Sequence, residues 1–296
     1  MHALLFAATV LIWGTTWIAI ALQVGPVPVL VSIFYRFGTA AVLFLAVLAL
    51  MGRLKTPARR HQPWIAGQAL CLFCLNFICF YTAAAYVPSG LIAVIFSLST
   101  VFNTVNARLF WSDPIRPRTL LAAALGVAGL MLLFGPEIAH SHAAGTLKGA
   151  GLAALGTLFF SFGNMISRRN SAAGVSPVIA NAWGMAYGAA ALLALIAATG
   201  TPIVPPSGGV YLGAMLYLAV FGSIAGFTCY LTLVARVGSS RAAYATVLFP
   251  VVALAISSIY EDYRWHWPGI LGLALTLLGN LVMFAPPGIL RRITAT

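Results

Sequence analysis

One formal charge stands in the run VSIFYRFGTAAVLFLAVLAL, the arginine at 36. No acid lies within twenty residues of it on either side. A guanidinium in such a place has two chemistries open to it. It can anchor its helix by snorkelling its polar tip toward the membrane surface, or it can hold a ligand carboxylate in a bidentate grip. A structural partner for the first role is available in Glu261 or Asp262. Other residues with recognition chemistry also sit inside apolar runs. Trp13 and Trp17 share a helix face at i, i+4, and Ser99, Asn103 and Asn106 recur at i, i+4, i+7 with Thr100 alongside. Asn76 and Asn164 bring amides, which cost several kcal/mol if left unpaired in hydrocarbon. Tyr81, Tyr230 and Tyr244 add rings with a polar tip. Together these residues suit a cavity for a small solute with a polar head and an apolar or aromatic body. For most of them interhelical hydrogen bonding is the competing role, and for Asn106 it is the favoured one. Trp17 can also serve in an interfacial aromatic belt.

The elements that position these groups follow from composition. The chain has 296 residues, 61% hydrophobic and 7% charged, with mean hydropathy +1.00. About 25% charged is usual for a soluble domain, so lipid must solvate this one. Ten spans of about 20 residues are expected, near 3–22, 29–51, 63–85, 89–110, 117–135, 148–168, 177–199, 209–235, 240–260 and 266–285. They give an all-α polytopic membrane protein. Glycine and proline clusters such as QVGPVP and TGTPIVPPSGG separate the spans.

Of 16 Lys/Arg, thirteen fall in alternate gaps, from Arg53, Lys55, Arg59 and Arg60 through to Arg291 and Arg292. The other set of gaps holds Lys148 and Arg264 with Glu137, Glu261 and Asp262. By the positive-inside rule both termini are cytoplasmic. The net charge of +12 therefore points to a membrane lipid surface and not to nucleic acid.

Val87–Pro136 aligns without a gap on Val237–Pro286 at an offset of 150, with eleven of the 50 positions identical. The expected organisation is a first five-helix unit over 1–140 and a second over 147–296. An odd number of spans per unit inverts the second relative to the first, an arrangement typical of transporters.

The two five-span halves, LIWGTTWIAI in span 1, RF in span 2, SRR closing span 6 and LFPVVALAISSIYED in span 9 resemble EamA-type members of the drug/metabolite transporter superfamily. Within that group the chain is most similar to bacterial aromatic amino-acid exporters of the YddG type. The resemblance covers essentially the whole chain. It implies a bacterial inner-membrane location, export of a small-molecule substrate, and a cavity walled by spans 1, 3, 4, 6, 8 and 9 with spans 5 and 10 at the side. The family often ends span 4 with a glutamate, whereas Trp111 stands here and Asp113 follows two residues later; Glu261 fits the second-half position.

Pro250 removes a backbone donor in mid-span 9 and is expected to kink it or act as a flexing point. No Asp or Glu lies at mid-span, so a facilitated carrier or exchanger is expected in preference to a proton antiporter. No HExxH, GxSxG or paired intramembrane aspartates suggest an enzyme. Cys71, Cys74, Cys79 and Cys229 lie in apolar runs, without a zinc-ligand set or a disulfide framework. No cofactor or metal is called for. A drug or nucleoside exporter, or a flippase for a lipid-linked substrate, is the alternative reading. A monomer suffices, and a homo-oligomer is equally compatible.

Overall fold

The computed structural model describes residues 2–115, 117–139, 143–206, 208–230 and 245–284. Within them the chain folds as ten apolar helices. These are α1 (His2–Ala21), α2 (Val29–Leu50), α3 (Arg59–Ala83), α4 (Ser89–Trp111), α5 (Pro117–Ala139), α6 (Ala143–Ala172), α7 (Pro177–Thr199), α8 (Gly209–Tyr230), α9 (Ala245–Tyr260) and α10 (Trp267–Phe284). Among the described residues eight are long and apolar enough to cross a membrane; the described apolar stretches of α9 and α10, Leu248–Tyr260 and Trp267–Val282, are shorter. Helices satisfy every backbone group internally, which hydrocarbon requires. Large apolar side chains point outward, among them Leu50, Leu109, Met131 and Ile259, while Thr9, Gln68, Asn76, Asn106 and Thr157 are buried. Water would not support that distribution; lipid does.

Helix α6 begins five residues before the expected span because nothing in AAGTL breaks it. Lys148 is accommodated in its first turns by reaching Tyr86, with Nζ donating to the phenol oxygen at 2.7 Å. Its ammonium also lies 4.6 Å from the centre of the same ring.

Two helices are locally widened. Leu70–Leu75 in α3 and Leu218–Ala225 in α8 form π turns, the rare i→i+5 geometry that favours functional sites. Helix α4 is interrupted at Leu98, where ψ rises to 0° between Ser89–Ser97 and Ser99–Trp111. Helix α9 runs through the buried Pro250 as one element.

Helices α5 and α10 form the most extensive pair and touch the remaining bundle lightly. Glycines bring their backbones together. A Cβ on Gly129 would lie 2.5 Å from the Gly272 carbonyl oxygen, and one on Gly279 would lie 2.8 Å from that of Ala122. As α5 steps back from 129 to 122, α10 advances from 272 to 279, so the two helices are antiparallel. Adding 150 to one contact gives the other. The same offset relates Ser112 (φ 56°) to Asp262 (φ 52°), the two non-glycine residues in the left-handed region among the described residues. They follow α4 and α9. Three further helix pairings have a counterpart when the halves are exchanged: α1 on α9 with α4 on α6, α3 on α6 with α1 on α8, and α3 on α7 with α2 on α8.

Candidate functional site: an aromatic cavity around a buried arginine

Between the helices lies a cavity lined by Trp13, Thr16, Trp17 and Ile20 of α1, Asn76, Phe77 and Phe80 of α3, and Arg36 of α2. Phe96 of α4, Phe160 of α6, Gly222 and Phe227 of α8 and Phe249 of α9 complete it. Its walls thus come from α1, α3, α4, α6, α8 and α9, with Arg36 added from α2. The cavity volume is about 50 Å³, against the ~10–15 Å³ that one water molecule needs.

The rings form a connected shell. Trp17 meets Phe80 at 5.3 Å and Phe96 at 5.5 Å between centroids, and Phe96 meets Phe160 at 4.7 Å. Only 6% of Trp17 is exposed, so it belongs to this shell and not to an interfacial belt.

Arg36 is 2% exposed. Its Nε donates to Ser223 Oγ at 3.2 Å, in the π turn of α8. Its guanidinium carbon lies 4.4 Å from the Phe77 ring centre and 5.0 Å from that of Phe37. Nη1 has no hydrogen-bond partner, and neither does Oδ1 of Asn76, just after the π turn of α3. A permanent cation and an amide therefore line the cavity, each with a buried polar atom whose bonding capacity is unused. Buried polar groups almost always find partners, so two together mark a place for a ligand. Gly222 is what lets α8 approach: a Cβ there would lie 2.8 Å from Thr16 Cγ2 and 3.5 Å from Arg36 Nη2.

Glu261 does not neutralise Arg36. Its carboxylate accepts from Ser89 N at 3.1 and 3.0 Å, from Ser89 Oγ at 2.6 Å and from Ser257 Oγ. Ser257 Oγ in turn accepts from Gly90 N at 2.8 Å. The acid thus caps the open end of α4, where a negative charge meets unpaired N–H groups.

A second, wider cavity of about 570 Å³ is lined by Asn103, Thr104, Ala107, Asp113, Pro114, Arg118, Thr119, Asn164, Met165 and Tyr230. Asn164 Nδ2 donates to Asn103 Oδ1 at 3.3 Å. At its edge Arg168 pairs with Asp113 at 2.6 Å, and the hydrogen bond from Arg168 holds that carboxyl below the usual carboxylate range. Tyr230 and Trp13 meet with centroids 4.9 Å apart, so this ring pair stands between the two cavities. A Cβ on Gly226 would lie 2.6 Å from Trp13 Nε1; glycine there seats the tryptophan.

The residues singled out in the sequence therefore divide. Trp13, Trp17, Arg36 and Asn76 converge on the central cavity, and Asn103, Asn164 and Tyr230 on the second. Thr100 instead donates to Asn280 Oδ1 of α10 at 3.0 Å, and Asn106 to Ser161 Oγ of α6 at 2.8 Å, both bonds between helices. Tyr81 donates to Gln23 Oε1 at 2.7 Å and, like the buried Ser99, lines neither cavity. Tyr244 lies outside the described residues. The sequence reading does not single out Phe77, Phe80, Phe96, Phe160, Phe227, Phe249 or Ser223; the GSIAG spacing of Gly222 and Gly226 around Ser223 could have drawn attention to the last. Among the described residues no cluster of His, Cys, Asp or Glu is disposed to hold a metal ion.

A sequence model of the EamA-like transporter family matches residues 1–135 and again 147–285. The uncharacterized inner membrane transporter YedA of Escherichia coli K12 is 29% identical over 95% of this chain and 92% of its own. Protein PagO of Salmonella typhimurium is 26% identical over 94% and 93%, and a probable amino-acid metabolite efflux pump of Escherichia coli K12 is 22% identical over 91% and 90%. A protein solved by crystallography superposes with a TM-score of 0.70 at 20% identity, covering 99% of this chain and 98% of its own. That likeness is one of fold alone. With both family matches spanning nearly its whole length, the chain belongs to the EamA-like transporter family, and it is a transporter and not an enzyme.

Proposed function

We propose that the protein is a bacterial inner-membrane carrier that exports amino acids, aromatic or hydrophobic ones first, by alternating access through the central cavity. The observation that carries this reading is the unpaired edge of Arg36 in a shell of aromatic rings. A guanidinium binds a carboxylate, and the rings accept an apolar side chain. The name of the amino-acid metabolite efflux pump among the relatives, and the resemblance to YddG-type aromatic amino-acid exporters, point the same way. The names of the YedA relatives support an inner-membrane setting.

Two inverted five-helix units, 1–140 and 147–296, are proposed as the frame. The antiparallel α5–α10 pair, the contacts exchanged by the 150-residue offset, and the paired π turns support it. Charge alternation supports cytoplasmic termini. The polar cavity carrying Asn103 and Asn164 then opens toward the cytoplasm, with the Trp13–Tyr230 pair as inner gate and Pro250 as a flexing point in α9. No acid lines the central cavity among the described residues, so transport follows the substrate gradient.

The test is uptake by vesicles holding purified protein, over a panel of amino acids, nucleosides and cationic drugs. Saturable exchange of phenylalanine or leucine is expected. Substrate accumulation that requires an imposed pH gradient would defeat the gradient-driven mechanism. A flippase reading draws on one feature, the lateral groove of about 610 Å³ between α2 and α7, lined by Phe34, Gly38, Ala41, Leu45, Ala186 and Ala189. Failure of free amino acids to compete with one another would favour it.

A further inference from the structure

The charge balance of the central cavity can be taken one step further, on the basis of the carrier reading above. The described lining holds one formal charge, that of Arg36, and no acid. The guanidinium is held by Ser223 Oγ at Nε and by the Phe77 ring under its face, with the Tyr81 side chain beside it, and Nη1 makes no hydrogen bond. A buried cation without a counterion is costly. Only an anionic ligand removes that cost.

The ammonium of an amino acid meets far less. Asn76 Oδ1 is a neutral acceptor, and Thr16 Oγ1 already donates to the Trp13 carbonyl. Aromatic faces attract cations, but here they surround a cation of the protein's own. A second positive charge in the same low-dielectric space is repelled by it. The Phe77 face nearest the site is already occupied by Arg36.

We propose that the cavity selects aromatic and other apolar monocarboxylates by their carboxylate, with the α-amino group dispensable. Zwitterionic amino acids are one member of the accepted class, and the corresponding deaminated acids are another. Aromatic amines and amino-acid amides, which lack the anion, are excluded. Asn76 acts as the specificity residue for the ammonium; Arg36 is the obligatory contact.

The purified full-length chain in vesicles tests this by counterflow of labelled phenylalanine against unlabelled 3-phenylpropanoate, phenylalaninamide and 2-phenylethylamine. The expected result is that 3-phenylpropanoate competes at concentrations similar to phenylalanine itself. The amide and the amine should need at least about tenfold more, as losing one partner of a buried charge pair dictates. Asn76→Asp would pair with Arg36 and should weaken 3-phenylpropanoate strongly, while phenylalanine, whose ammonium can meet the new carboxylate, is weakened less. Its melting temperature beside that of the unaltered protein shows whether it is folded. Should phenylalanine exchange while 3-phenylpropanoate fails to compete, or the amine compete as well as the acid, carboxylate selection is overturned and the amino-acid carrier stands. If none of the four compounds exchanges or competes, the amino-acid reading falls, and this inference with it.

Discussion

The two cavities use polarity in opposite ways. Around Asn103 and Asn164 the amides bond to one another, and Asp113 and Arg168 satisfy each other at the edge. Around Arg36 the space is smaller and almost wholly aromatic, yet Nη1 and Asn76 Oδ1 are left without partners. Self-satisfied groups in a wide cavity suit a water-filled approach. Unsatisfied groups in a small one store a binding preference that a ligand of the right charge releases. The number of polar residues does not separate the two regions; their unused bonding capacity does.

The strongest way to break this contrast is Arg36→Gln. Substrate affinity should fall about 30-fold or more, the loss expected when one side of a buried charge pair is removed. The ligand-free protein should be no less stable, since an unpaired buried cation is itself unfavourable. Binding and melting measured on one preparation check both halves. A collapse in melting temperature would make Arg36 a structural anchor.

Gly226→Ala probes the partition between the cavities. The added methyl would sit 2.6 Å from Trp13 Nε1, so the ring must shift against Tyr230. Displacement of a positioning group by about 1 Å can cost as much as 100-fold in rate; a tenfold drop in exchange rate, with weaker effects on equilibrium binding, is expected. Equal loss of rate and affinity would place Trp13 in the binding wall alone.

Glu261→Gln tests a carboxylate whose bonding is complete. It should lower stability by about 1–3 kcal/mol through the α4 cap, with little effect on which solutes compete; a changed substrate order would draw Glu261 into the site.

The smallest effect belongs to Asp113→Asn, at an exposed ion pair of the kind that contributes little. Because Arg168 lowers the Asp113 pKa, the pair's contribution is present above the ordinary carboxylate value of about 3.9 and disappears as pH falls through the lowered one. That contribution is small even where it is fully present, so melting curves near neutral pH should nearly superpose for the two proteins. A marked difference there would show that this edge is not the self-contained region described.

Much of this frame was legible because lipid imposes it. Span lengths, charge alternation and the 150-residue offset are written in hydropathy and spacing. Arg36 stood out for an energetic reason, as a cation that hydrocarbon does not tolerate without cause. The phenylalanines of the cavity did not stand out. In a soluble helix an apolar stripe marks the buried face, but here the lipid-facing side is apolar too, so Phe96 toward the cavity and Phe110, 62% exposed, look alike in the sequence. Polar residues misled for a related reason. Thr100 and Asn106 avoid lipid as surely as a binding residue does, and find a neighbouring helix instead. Topology puts Glu261 and Asp262 on the same side of the membrane as Arg36, but the unbonded N–H groups at the start of α4 claim the Glu261 carboxylate.

The π turns of α3 and α8 carry a further consequence, one of phase. Each residue of an ordinary helix advances the side-chain direction by 100°, and a wider turn resets that clock. In α3 the reset falls just before Asn76, Phe77 and Phe80, and in α8 it contains Gly222 and Ser223. Closing Leu70–Leu75 into regular helix with every residue retained would swing the downstream trio about a quarter-turn away from the cavity without altering one of their identities. The recognition surface is thus addressed by the width of a turn as well as by composition, and the same residues threaded through a regular helix would present a different pocket.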